Sequence, residues 1–221
     1  MSIRKLIALP LALMGAQAAL AQTDDPMCRN GLFPSEPPFA LARIGGKERA
    51  YFQSDMDGCP WKGDACRARA YVVPGDVVII NRTRDGFACA FYPSSGGGTA
   101  GWIDSRRVEL LPAPASPPLA AWLGTWSSEG NPTVRFERKL DTLHVSGEAF
   151  WPSPAPTSDY PSIHIGEIAG EVQVSGRLGH YADDAMCEVR FTLLGDYLIA
   201  GDNRQCGGVN VSFSAVYRRE G

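Results

Sequence analysis

Cys206 stands before two glycines in the segment DNRQCGGVNVSFSAVYRR, residues 202–219, a setting that suits either a thiol nucleophile in a glycine-lined pocket or one half of a disulfide. A nucleophilic thiol needs a base and a lowered pKa, which thiol enzymes obtain at a helix N-terminus. His180 and Asp202 are the partners such a thiol would need. The residues after Cys206, VNVSFSAVY, alternate apolar and polar as a strand does, so no helix dipole is supplied. The disulfide is therefore the expectation, with Cys187 in MCEVRFTLL as partner. Gly207 and Gly208 then read as turn residues, because a phosphate cradle needs a helix after its glycines.

The remaining chemistry is sparse. His144 and His164 fall on the polar side of alternating runs, where a solvated side chain is the default. His164, Glu167 and Glu171 have a spacing that would align on a helix, but Gly166 and Gly170 and the flanking alternation indicate strand and turn, which scatters the three. Asp183-Asp184 follows His180 in a turn and reads as a solubilising pair, not as acid and base. No catalytic, cofactor or metal residues are therefore assigned, and the chain is expected not to be an enzyme.

The compartment decides how the six cysteines are read. Residues 1–21, MSIRKLIALPLALMGAQAALA, place Arg4 and Lys5 before an apolar run and end on Ala19-Leu20-Ala21, the small-x-small pattern of a signal-peptidase site. Cleavage is expected after Ala21, and no later run is apolar enough to span a bilayer, so no membrane insertion of the mature chain is expected. Localisation is expected to be periplasmic or secreted, in a bacterium. An even number of cysteines in an oxidising compartment is a disulfide framework. Cys28, Cys59, Cys66 and Cys89 precede the Pro-rich stretch PAPASPPLAAW, and Cys187 and Cys206 follow it, so pairing can close within each half. Among three pairings of the first four, Cys28 with Cys89 and Cys59 with Cys66 is preferred. Removing the signal takes two of the 21 basic residues and none of the 24 acidic ones, leaving a formal charge of minus five. That balance argues against nucleic acid or an anionic membrane as partner.

The elements are strands in both halves. In the first, Pro74-Gly75-Asp76 opens an alternating run, Asp85-Gly86 makes a hairpin turn into FACAFY, and a glycine-rich loop leads to GWIDSRRVEL. These motifs resemble those of bacterial SH3-like domains: a PGD turn before a VxV strand, an aromatic at Phe87, Gly101-Trp102-Ile103, and a short 3₁₀ turn before the apolar Val108 and Leu110. The resemblance covers residues 45–111 and implies a small barrel with Phe87 and Trp102 in its core. It also implies binding of cell-wall peptides or proline-rich segments through loop aromatics, a role that falls here on Trp61, Phe91 and Tyr92. The insertion MDGCPWKGDACRAR departs from the family pattern.

In the second half eight runs alternate: WLGTW, TVRFE, TLHVSGEAF, SIHIGEI, GEVQVSG, CEVRFTL, YLIAGD and VNVSFSAVYRR. They predict an eight-stranded antiparallel up-and-down barrel. Gly124-Thr125-Trp126 with Arg218 or Arg219 on the last run resembles the GxW and terminal Arg of lipocalin-like and avidin-like barrels, which implies an Arg packed across the Trp. Phe191, Phe213, Leu193 and Trp122 are large enough to fill such an interior.

The expected organisation is thus all-β: a signal peptide over 1–21, an N-terminal arm over 22–44, an SH3-like domain over 45–111, a Pro-rich linker over 112–118 and a small barrel over 119–221. The expected function is non-enzymatic binding of a protein or a peptidoglycan-type ligand in the envelope, with a peptidoglycan-cleaving hydrolase and a periplasmic inhibitor or immunity protein as alternatives. Trp151 and Tyr160, in the proline-restricted FWPSPAPTSDYP, join the candidate binding residues, because a restricted loop loses less entropy on binding.

Overall fold

Period-two alternation puts every second side chain on one face, and the strands it produces all pair antiparallel, in two sheets. The computed structural model describes residues 27, 28, 33, 37–94, 97–128, 132–153 and 163–220. Segment 1–21, read as a signal, lies outside the described residues. Among the described residues there is no α-helix, and no helix is long and apolar enough to cross a membrane.

The first sheet contains β1 (Ala40–Ile44), β2 (Ala50–Gln53), β3 (Arg67–Val72), β4 (Val77–Arg84), β5 (Phe87–Tyr92), β6 (Thr99–Asp104) and β7 (Val108–Leu110), in the order β3-β2-β6-β5-β4-β1-β7. Asp85 (φ 46°) and Gly86 (φ 85°) form the two-residue turn from β4 to β5, a left-handed pair that suits hairpin twist. β1, inside the segment read as an arm, pairs with β4 and β7. Ala42, Ile44, Phe52, Val78, Ile80 and Ile103 pack together on one face.

The second sheet is a closed barrel of β8 (Gly124–Ser127), β9 (Thr133–Lys139), β10 (Thr142–Pro152), β11 (Ile163–Ser175), β12 (Leu178–Ala182), β13 (Glu188–Leu194), β14 (Tyr197–Asp202) and β15 (Ala215–Arg219). Eight strands were expected and eight occur, but their bounds differ. SIHIGEI and GEVQVSG are one thirteen-residue strand, β11. Its glycines are places of close approach: a Cβ at Gly166 would lie 2.2 Å from the Cys206 carbonyl oxygen, and one at Gly170 would lie 2.9 Å from the Tyr181 ring. LGHYA, not among the expected runs, is β12. Residues 209–214 are not strand. The Asp202 carboxylate accepts from Phe213 N at 2.6 Å and from the hydroxyls of Ser212 and Ser214, which replaces ladder bonding there. Trp122, Trp126, Phe136, Phe191, Phe213 and Tyr217, all essentially without solvent exposure, pack the barrel core.

A third cluster joins the sheets. Ile79, Cys89, Phe91 and Trp102 of the first pack with Leu194 and Ile199 of the barrel, together with Phe33 and Phe39. The segment before β1 is held at Cys28, whose backbone N–H donates to the buried Asp55 carboxylate at 2.7 Å.

Candidate binding surface

Three disulfides fix the loops: Cys28–Cys89, Cys59–Cys66 and Cys187–Cys206. Cys59–Cys66 clips a loop that ends in the 3₁₀ turn Gly63–Cys66 and presents Trp61. The Trp61 ring centroid lies 6.5 Å from that of the fully buried Trp102, and the Arg84 guanidinium lies 4.9 Å from its centre. One side of the ring therefore covers the core while 38% of the residue stays exposed. It is an aromatic held in place before any partner arrives.

The other candidates are placed differently. Phe91 and Tyr92 end strand β5 instead of lying on a loop. Phe91 is buried against Phe33, ring centroids 5.3 Å apart, and contributes to the inter-sheet cluster. Tyr92 is half-buried, and its phenol is pushed up by burial and by the nearby Asp76 charge. Trp151, on β10, packs against the barrel core and 5.8 Å from the His164 ring. Tyr160 lies outside the described residues. No ring contact joins any two of the four described candidates, so they do not make one site.

The histidines are separate as well. His144 Nε2 is 3.1 Å from the Thr142 hydroxyl, His164 lies beside Trp151, and His180 Nε2 is 3.8 Å from the Glu188 carboxylate. Among the described residues no three His, Cys, Asp or Glu side chains are placed to hold a metal ion.

The outer face of the β2–β3 hairpin is the arrangement that sequence reasoning missed. Tyr51 and Tyr71 are directly opposite in the ladder, with ring centroids 5.6 Å apart. The Arg67 guanidinium lies 3.5 Å over the Tyr51 ring and that of Arg49 lies 4.3 Å over the Tyr71 ring. Hydrogen bonding first from Arg67 and then from Arg49 holds the Tyr51 phenol below the usual tyrosine range. The face opens into a groove of about 550 Å³ that Asp64, Arg106 and Arg107 also line. Arg106 is bound to Asp104, and that contact holds the Asp104 carboxyl below the usual range. Arg107 donates to the carbonyls of Gly45, Arg49 and Glu48. The alternation Arg67-Ala68-Arg69-Ala70-Tyr71 was the available signal, since it puts two arginines and a tyrosine on one face. Only the β2–β3 register shows that Tyr51 completes the set.

Comparison of the chain with protein-family models, with curated proteins and with solved structures finds no match in any of the three.

Proposed function

We propose that this chain is a secreted, non-enzymatic envelope protein that binds a cell-wall component or a protein partner through its outer surface. The observation that carries this reading is Trp61, an exposed ring held by the Cys59–Cys66 clip, by a tilted contact with the Trp102 ring and by the Arg84 guanidinium over it. Tryptophan supplies large contact area with few rotors, and a ring already held in place loses little freedom on binding. The packed barrel core supports it, because recognition then falls to the exterior. Three disulfides suit an oxidising compartment outside the cytoplasm. The SH3-like reading of the first half is part of the proposal. Its support is the turn at Gly75 (φ 96°) and the 3₁₀ turn Ser105–Arg107 leading into β7; Trp102 and the half-buried Phe87, expected inside a small barrel, pack instead in the cluster between the two sheets.

The same rigid loop suits an inhibitor of an envelope enzyme, and one experiment separates the two. Purified mature chain is incubated with isolated sacculi and, separately, used as bait in periplasmic extract. Retention by sacculi that Trp61→Ala weakens about tenfold supports a wall ligand, the loss expected for a contact residue. Specific capture of a wall hydrolase with loss of its activity supports an inhibitor. Retention of nothing in either assay would sink the proposal.

A further inference from the structure

We infer that the outer face of the β2–β3 hairpin docks an acidic polypeptide segment in extended conformation, an assignment that rests on the binding reading above. Charge is the first argument. The chain carries 24 acidic against 21 basic side chains, yet this groove gathers Arg49, Arg67, Arg106 and Arg107 against Asp64 and Asp104. Asp104 is already engaged by Arg106. Arg49 and Arg67 make no salt bridge among the described residues and are held instead by the rings of Tyr71 and Tyr51.

That mode of holding matters. A guanidinium lying 3.5 Å over a ring and donating one N–H to the Tyr51 phenol still has N–H groups left of its five for an incoming carboxylate. Stacking also restricts the side-chain rotamers in advance, so less entropy is lost when an anion arrives.

Backbone geometry favours an extended ligand. Among the described residues β3 is the last strand of its sheet and pairs only with β2, so its other edge presents backbone groups that no described strand pairs. An extended peptide can add to such an edge by main-chain hydrogen bonds. Arg67, Arg69 and Tyr71 are exposed at alternate positions along β3 while Ala68 and Ala70 pack toward the core. An added strand places every second side chain beside that row, so a sequence with alternate carboxylates matches it.

The short range of the arginine field disfavours long polyanions. At physiological salt the field of the arginines reaches about 8 Å. A short acidic segment stays within that range, whereas a nucleic acid or an anionic membrane also faces the rest of a net-acidic surface.

Fluorescence anisotropy of the full mature chain tests the assignment. The probes are a labelled decapeptide alternating glutamate with valine, the same peptide with glutamine, inorganic polyphosphate, and vesicles of phosphatidylglycerol and phosphatidylcholine. Saturable binding of the glutamate peptide is expected, at least about tenfold weaker for the glutamine peptide and for the Arg49→Glu/Arg67→Glu double variant. Arg138→Glu/Arg190→Glu makes the same charge change on β9 and β13 of the other sheet and is expected to alter binding less than about twofold. Should the first double variant fail to fold, Arg49→Gln/Arg67→Gln, checked by its melting temperature, is expected to give the same loss. The inference is overturned by absence of saturable peptide binding, as when the arginines only guard an edge strand. Equal weakening by the barrel pair, or tighter binding of polyphosphate or vesicles than of the peptide, also overturns it. Sacculus or protein capture that persists without peptide binding leaves the general binding reading standing and removes this one; loss of both removes both.

Discussion

The guanidinium of Arg219 lies 4.2 Å over the ring of Trp126 and donates hydrogen bonds to the carbonyls of Leu123 and Ala121. The two residues are paired in the ladder between β15 and β8. Trp126 in turn donates its indole N–H to the Trp122 carbonyl at 2.9 Å. Gly124 permits the approach: its φ of 112° is left-handed, and a Cβ there would stand 3.4 Å from the Arg219 guanidinium. One side chain thus satisfies the carbonyl of Ala121, which ends the 3₁₀ turn Leu119–Ala121, and that of Leu123, while covering a fully buried indole.

Arg219→Ala is expected to destabilise the barrel by about 2–3 kcal/mol, from the lost cation–π contact and the carbonyls left without a donor. Arg219→Lys should recover little of this, because an ammonium cannot reproduce the planar fork that reaches both carbonyls. Urea unfolding of the two variants measures it. A midpoint within error of the parent for Arg219→Ala would mean that the stacking contributes nothing.

The cluster shared by the two sheets predicts coupled unfolding. Leu194 and Ile199 are buried against Phe39, Phe91 and Trp102, and truncating a buried aliphatic side chain to Ala costs about 2–5 kcal/mol. Ile199→Ala should therefore lower the stability reported by the first sheet as well as by the barrel, in one cooperative transition. Two separate transitions by calorimetry, only one of them shifted, would contradict this.

Trp61 and Trp151 should separate on substitution. Trp61→Ala removes a partly exposed ring and is expected to cost about 1 kcal/mol through its contacts with Trp102 and Arg84. Trp151→Ala removes a half-buried ring packed on the barrel core and is expected to cost about 2 kcal/mol, near half the value for a fully buried one. Thermal melts decide between this order and equal, negligible effects.

Alkaline titration should resolve two tyrosines at opposite extremes. Burial raises the Tyr217 phenol well above its ordinary 10.0, while Arg67 and Arg49 lower that of Tyr51. For Tyr217 the folded value exceeds the unfolded one, so its contribution to stability is intact below pH 10 and is lost as pH rises beyond. For Tyr51 the sign is opposite: its contribution appears as the phenolate forms and is absent at neutral pH. Tyrosinate absorbance should show an early phase that Tyr51→Phe removes, and Tyr217 should ionise only with unfolding. An unchanged early phase in Tyr51→Phe would refute the assignment.

The legible part of this molecule was the part written in local pattern. Alternation in LHVSG and EVRFTL, the Asp85-Gly86 turn and the cysteine parity about the Pro-rich stretch all correspond to strands, a hairpin and the three disulfides that the structure contains. Gly166 and Gly170 misled because a glycine required by a neighbour across the barrel looks, along the chain, like a glycine required by a turn. The last strand was overextended because Asp202, seven residues before Val209, holds residues 212–214 by side-chain bonds that alternation does not encode. The Arg49, Tyr51, Arg67 and Tyr71 face was hidden for the same reason: its members are 22 positions apart at the extremes and meet only through strand pairing.

The barrel's first and last strands are hydrogen-bonded to each other, β8 through Trp126 and β15 through Arg219. A chain emerging in order must therefore keep β8 waiting through almost a hundred residues before its second neighbour exists, a span of sequence that slows folding. Until then β8 and β14 are both bare rims that another half-made copy can pair with. Arg219 is thus a timing element: the strand that completes the ring is made about ninety residues after the strand it joins, and the hazard of misassembly is concentrated in the interval that it ends.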